Sequence, residues 1–239
     1  MHNNSMKLFT HHKKVSQSQM DDLAIQIMEE LYDQTDEDVR SNDMLRLLHS
    51  SEISVQTVCP NGKTLGFYLA RELSEPVLNT FRNLGGDLSA RDKHGNTLMF
   101  EALSGFPIFL GNDYDYTCIE LLQQHGLDLA HTNKLGQTPI FGLRCALDTY
   151  DVRHIFSVEG HEDFFEQRVV EYMKLLQWAQ NKGANLHHKD NNGHCVFDMA
   201  CGAEFSVLRT HLDIKRAELE KESLLKSICG PTTISQRKM

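Results

Sequence analysis

The stretch HHKDNNGHC at 187–195 gathers three histidines and a cysteine into nine residues, and Cys201 follows six residues later. Imidazole and thiolate are preferred zinc ligands, so this is the first place to look for a metal. The intervals match no zinc-ligand spacing, and His187 and His188 fall in an extended arm. Small buried thiols account for the cysteines, so no metal is expected. Cys118, Cys145 and Cys201 are thiols that one of the 13 histidines could activate as nucleophiles. All three fall inside predicted helices, with no glycine turn to expose the sulfur. The acids of DYDY at 113–116 and GHED at 160–163 have the right chemistry for acid–base work, but acids in surface loops also serve solubility. A glycine-rich phosphate loop, H-E-x-x-H and G-x-S-x-G are all missing from the sequence. The residue types predict no catalytic centre and no cofactor.

The elements that must hold these residues repeat. GGDLSARDKHGNTLMFEAL at 85–103, GLDLAHTNKLGQTPIFGL at 126–143 and GANLHHKDNNGHCVFDMA at 183–200 each set two glycines ten residues apart. The pairs are Gly85 and Gly95, Gly126 and Gly136, Gly183 and Gly193. A partial copy, CPNGKTLGFYLA at 59–70, keeps Gly62 and Thr64, with Glu52 where the first glycine would stand. The first glycine follows an amphipathic helix, such as CIELLQQHG or EYMKLLQWAQNKG, and suits a left-handed C-cap. An extended run leads to a tight turn, KHG, KLG or NNG, where glycine tolerates positive φ. Thr97 or Thr138 is then expected to cap the next helix through its hydroxyl, and Pro139 fits a first helical turn. Each copy reads as helix, glycine stop, hairpin turn, helix, so the fold is predicted to be all-α.

This unit resembles the ankyrin repeat, a helix-turn-helix module of about 33 residues with a T-P-L-H-x-A signature. The matching stretches are TLGFYL, TLMFEA, TPIFGL and CVFDMA. The signature histidine is replaced by Phe67, Phe100 and Phe141, and by Asp198 in the last copy. The family's threonine–histidine pairing is therefore not expected, and three aromatics in register predict an apolar ladder. Gly62 to Gly95 spans 33 residues, Gly95 to Gly136 spans 41, and Gly136 to Gly193 spans 57. The second and third units thus carry about 8 and about 24 residues beyond an ordinary repeat. These insertions fall near 104–116 and 148–163, and insertions in solenoids go to loops, commonly on a binding face.

The resemblance implies an ankyrin-repeat solenoid of about four units over 59–202. Helical caps would flank it at 20–58 and 203–229, with flexible ends at 1–19 and 230–239. It also implies a non-catalytic protein–protein interaction module that holds its partner with the hairpin tips and the exposed side of each first helix. The hairpins then offer Asn61 and Lys63, Arg91, Lys93 and His94, His131, Lys134 and Leu135, and finally His188, Lys189, Asn191 and Asn192. The first helices add Tyr68, Arg71 and Glu72, then Glu101 and Ser104, then Arg144. This row is basic in an acidic protein, which suits a partner with an acidic surface, although ordinary solvated lysines would read the same way. Irregular repeats with insertions and phenylalanine in the signature are similar to those of ankyrin proteins that intracellular bacteria export, which implies an effector acting in a host cytosol. The competing reading is an enzyme, or an enzyme modulator, with its site built from the two insertions.

Composition agrees with a folded chain, since 239 residues with 40% apolar content can form a continuous core. Between 20 and 43, nine acids face Arg40 alone and carry most of the net charge of −9. In that segment Leu23, Ile27, Met28 and Leu31 recur at helical spacing, so one face can cover the end of the stack. The chain has no run of about 18 apolar residues and no signal-peptide core near its start. Six cysteines without a C-x-x-C pair suit a reducing compartment. The expectation is a cytoplasmic monomer that neither spans a membrane nor binds nucleic acid.

Overall fold

The computed structural model describes residues 14–31, 34, 36–105, 116–143, 173–199 and separate positions between 210 and 225. Apart from 104, 105 and 116, both expected insertions lie outside the described residues, as do Arg144, Cys145, Cys201 and both chain ends. The described chain is helical: α1 (Gln17–Leu31), α2 (Glu37–Ser51), α3 (Leu65–Arg71), α4 (Glu75–Asn83), α5 (Leu98–Ser104) and α6 (Thr117–Gln124) come first. A 3-10 turn (Pro139–Gly142), α7 (residues 173–181) and α8 (Val196–Met199) follow, and the described positions between 210 and 225 are helical as well. Among the described residues there is no strand, only isolated bridges between Val58 and Thr64 and between Arg91 and Thr97.

Local sequence explains where the helices begin and end. α1 buries Met20, Leu23, Ala24, Ile27 and Leu31 along one face, with Met28 partly buried beside them. α2 starts where the Asp36 carboxylate accepts from the backbone N–H of Asp38 (2.9 Å) and Val39 (3.2 Å), a cap worth about 1 kcal/mol. It stops at Glu52, whose φ of 59° is the left-handed conformation that later units give to glycine. A side chain costs about 1 kcal/mol there. The stops of α4, α6 and α7 share one device. Gly85 N–H returns to Arg82 O and Gly86 N–H to Phe81 O after α4, and the same pair of bonds joins Gly126 to Gln123 and Leu127 to Leu122 after α6. After α7 it joins Gly183 to Gln180 and Ala184 to Ala179. This closure satisfies the last carbonyls of the helix and favours a residue without Cβ at the turn.

Between helices the chain makes the same turn four times, at 59–63, 92–96, 133–137 and 190–194, each closed by two backbone hydrogen bonds of 2.8–3.0 Å. Successive turns bond to one another. Lys93 N–H reaches Asn61 O (2.9 Å), Lys134 N–H reaches His94 O (2.9 Å), and Asn191 N–H reaches Leu135 O (3.0 Å). Gly62 shows how tight this is: its φ is +84°, and a Cβ there would meet Lys93 N at 2.6 Å. Alanine would clash with backbone that cannot move aside.

The helices pair in two layers. α1, α3, α5, the 3-10 turn and α8 contact one another in that order, and α2, α4 and α6 do likewise. Rungs α1–α2, α3–α4 and α5–α6 join the layers. The core fills the space between, with Phe67, Leu69, Leu78, Phe81 and Leu98 fully buried. The third unit opens as a 3-10 turn packed against α5, where a Cβ on Gly142 would lie 2.6 Å from Phe100 O. Leu143 is already α-helical. Tyr116 stacks on Trp178 at 4.2 Å and Lys182 pairs with Glu120 at 2.7 Å, which ties α6 to α7.

One local expectation is corrected. Thr64, Thr97 and Thr138 stand at the N-cap positions, but their hydroxyls make no cap and are buried without a partner among the described residues. Their carbonyls open the helices instead, accepting from Phe67, Phe100 and Phe141 N–H at 3.0–3.1 Å. Phenylalanine offers a hydroxyl no acceptor. In the last copy Asp198 stands where those phenylalanines do, and its carboxylate accepts from Cys195 N–H at 2.8 Å. All three rings are buried, and Phe100 sets its ring edge-on to His131 with centroids 6.5 Å apart.

Candidate binding groove

A groove of about 490 Å³ runs between the turns and the α3, α5 and 3-10 layer. Lys63, His94, Asn96, Leu135 and Gln137 enter it from the turns, and Arg71, Phe100, Glu101, Ser104 and Phe141 from the helical elements. Six residues expected at a partner site, Lys63, Arg71, His94, Glu101, Ser104 and Leu135, are thus brought together. The others are not. Arg91, Lys93 and Lys134 are exposed along the outer edge of the turns, and Lys189 and Asn192 are exposed at the fourth turn. Asn61 is half-buried, and its side chain accepts from Lys63 N–H at 3.0 Å. Arg144 lies outside the described residues.

Tyr68 is corrected outright. It is buried, not presented to a partner, and its hydroxyl lies 3.9 Å from Cys59 Sγ. Burial drives the ionisation of both groups upward, keeping phenol and thiol neutral. The cause is the position of α3 inside the stack: residues 65–70 are all buried, so this stretch leaves no outward face for Tyr68 to occupy. Lys63 is corrected in part. Its ammonium pairs with the Glu101 carboxylate across the unit boundary, and the two side chains are only 19% and 16% exposed. These charges cancel within the groove. Arg71, by contrast, is exposed and has no ion pair among the described residues.

Beneath the turns runs a chain of side-chain hydrogen bonds that crosses three units. Buried Asp92 accepts from His94 N–H (2.8 Å), Asn96 N–H (2.9 Å) and the Asn96 amide (2.9 Å). Asn96 Oδ1 accepts from Asn133 Nδ2 (2.8 Å), which also reaches Gln137 Oε1 (3.4 Å), and Gln137 Nε2 reaches Asp190 Oδ2 (3.5 Å). Asp92 and Asp190 therefore point into the turns, each accepting two turn N–H groups. Burial opposes ionisation of Asp190, yet the backbone N–H groups of His194 and Asn192 and the Gln137 amide outweigh it and hold the carboxyl below its ordinary range. Asp198 is lowered chiefly by the Cys195 N–H.

The histidines in the turns serve the frame. His188 Nε2 donates to Gly136 O (2.7 Å), and in the same register one unit earlier His131 Nε2 lies 3.1 Å from Gly95 O and 2.9 Å from the Arg91 guanidinium. A carbonyl can only accept, so Nε2 carries the proton in His188. Cys118 is fully buried, and burial with the Asp198 side chain pushes the Cys195 thiol upward. Among the described residues no group of three histidine, cysteine or acidic side chains is placed to hold a metal. Among the same residues no helix is long and apolar enough to cross a membrane. Sequence reasoning missed Asn96 and Gln137 as groove residues. Each directly follows a turn glycine, as Lys63 and His194 do, so a polar residue in that register was the available signal. Neither a comparison with protein-family models nor one with curated protein sequences finds a match for this chain.

Proposed function

We propose that the chain is a non-catalytic protein-binding module, built as an ankyrin-repeat solenoid with helical ends. Its partner is a protein with an acidic surface that lies along the turn edge and in the groove. The observation that carries this reading is the meeting of Lys63, Arg71, His94, Glu101 and Leu135, chosen by register on three turns and two helices, around one groove. The turn-to-turn backbone bonds, repeated three times, support it because they hold that edge as one continuous surface. Similarity to exported bacterial proteins makes a eukaryotic lysate the natural source of the partner. The full chain is immobilised, and the proteins it retains are identified by mass spectrometry beside those retained by a Lys93→Glu, Lys134→Glu, Lys189→Glu variant. Acidic proteins retained by the parent and depleted with the variant are expected. Equal retention of every protein by both chains overturns the reading.

A further inference from the structure

Building on that reading, we propose that the groove takes an extended segment of the partner chain. Arg71 selects the segment by pairing with a carboxylate, and Phe100, Phe141 and Leu135 receive an apolar side chain next to it. Charge is the first argument. Lys63 and Glu101 neutralise each other, whereas Arg71 is exposed and lacks an ion pair among the described residues. Its planar fork of N–H donors matches a carboxylate with two parallel hydrogen bonds.

The apolar wall is the second argument. Leu135 is 50% exposed at the rim, and Phe100 and Phe141, 7% and 6% exposed, contribute to the floor of the same space. A segment carrying only acids would leave this wall wet, and one carrying only apolar residues would leave the guanidinium desolvated without a partner.

Dimensions give the third. The groove crosses α3, α5 and the 3-10 turn, which stack in order. Packed helices lie about 8–10 Å apart, so three stacked elements span about 16–20 Å. An extended chain rises about 3.3 Å per residue and covers that distance in five or six residues. Asn96 suits the same occupant: one of its amide N–H donors is held by Asp92, and the second has no partner among the described residues. That donor is available to a main-chain carbonyl of the segment.

The test pans the full chain against a phage-displayed library of random linear heptapeptides. Enriched sequences are expected to share an aspartate or glutamate at a fixed separation from an aromatic or aliphatic residue. The synthesised consensus peptide should lose about ten- to a hundredfold in affinity to Arg71→Ala. It should also weaken with Leu135→Asp and be unaffected by Arg46→Ala on the remote α2 surface. Exchanging its acid for lysine should abolish binding to the parent and restore it with Arg71→Glu. Failure to enrich, a consensus without an acid, indifference to Arg71, or a peptide that turns helical on binding by circular dichroism each overturns the proposal. A lysate partner that depends on the turn lysines while the library yields no such consensus leaves the module reading standing and removes this one.

Discussion

Thr97 and Thr138 carry hydroxyls that water does not reach and that no described group accepts. A hydroxyl buried without a partner costs about 1–3 kcal/mol, whereas an N-cap threonine contributes about 1 kcal/mol. The two situations predict opposite signs for the same substitution. Thr97→Val and Thr138→Val keep the shape and remove the hydroxyl, so each should raise the thermal midpoint, by about 2–4 °C per kcal/mol gained in a chain of this size. A lower midpoint in calorimetry would show the hydroxyls to be bonded. Position in the motif made these threonines legible as helix starts, but not the fate of their side chains, which the phenylalanine three residues on decides. Asp190 gives the second prediction at this scale. Its folded pKa lies below its unfolded value of about 3.9, so ionised Asp190 stabilises the fold above that pH, and the contribution is lost as pH falls through the lowered folded value. Asn133 receives the same turn N–H bonds with a neutral amide. Asp190→Asn should therefore keep the turn while flattening the loss of urea stability between about pH 5 and pH 3. An acid limb as steep as the parent's would place the proton uptake elsewhere.

At the scale of the element, the turn was legible because its glycines obey backbone rules that no tertiary contact alters. Gly62, Gly95, Gly136 and Gly193 all have positive φ, as do the helix-ending Gly85, Gly126 and Gly183. Which turn side chains face solvent was less legible. Lys63 turns into the groove because Glu101 stands in the next unit, a pairing across 38 residues that spacing within one unit does not encode. The basic edge therefore begins at Arg91 and Lys93 and continues through Lys134 to Lys189. Lys134 Nζ donates to Lys93 O at 2.7 Å and stays exposed, so neighbouring turns set their charges side by side. Charges in this arrangement act mostly on association rate, and salt weakens them as the Debye length falls to about 8 Å at physiological strength. Lys93→Glu with Lys134→Glu should slow association with the retained partner and flatten its salt dependence, while thermal stability barely changes. Glu29→Lys with Glu30→Lys, on α1 away from the turns, is the matched control. Stopped-flow rates that stay unchanged across salt for the turn variant would mark the edge as ordinary surface.

For the whole molecule, stability has to come from neighbours, because no unit closes a core alone. The two layers meet along a seam to which each unit adds one face, so the seam must end against something at both ends. At the start α1 contributes Met20, Leu23, Ile27 and Leu31, a spacing already visible in the sequence. Toward the far end Leu175, Leu176 and Ala179 of α7 are completely buried, and Leu186, Cys195, Val196 and Phe197 belong to the same core. Ending the chain after Gly183 removes those last four residues together with α8, which contacts the 3-10 turn. Fully burying one large apolar side chain is worth about 1.5–3 kcal/mol, so exposing several at once exceeds the margin of about 5–15 kcal/mol typical of a domain, or nearly so. The loss is not spread over the chain, since each unit touches only its neighbours, and the newly bared α7 face should open first. The truncated protein should therefore aggregate or melt well below the parent, with hydrogen exchange fastest over 173–183 and slowest over α3 and α5. A truncated chain that sedimented as a monomer with unchanged melting temperature and uniform protection would mean that the stack does not depend on its last unit, and the repeat architecture would have to be abandoned.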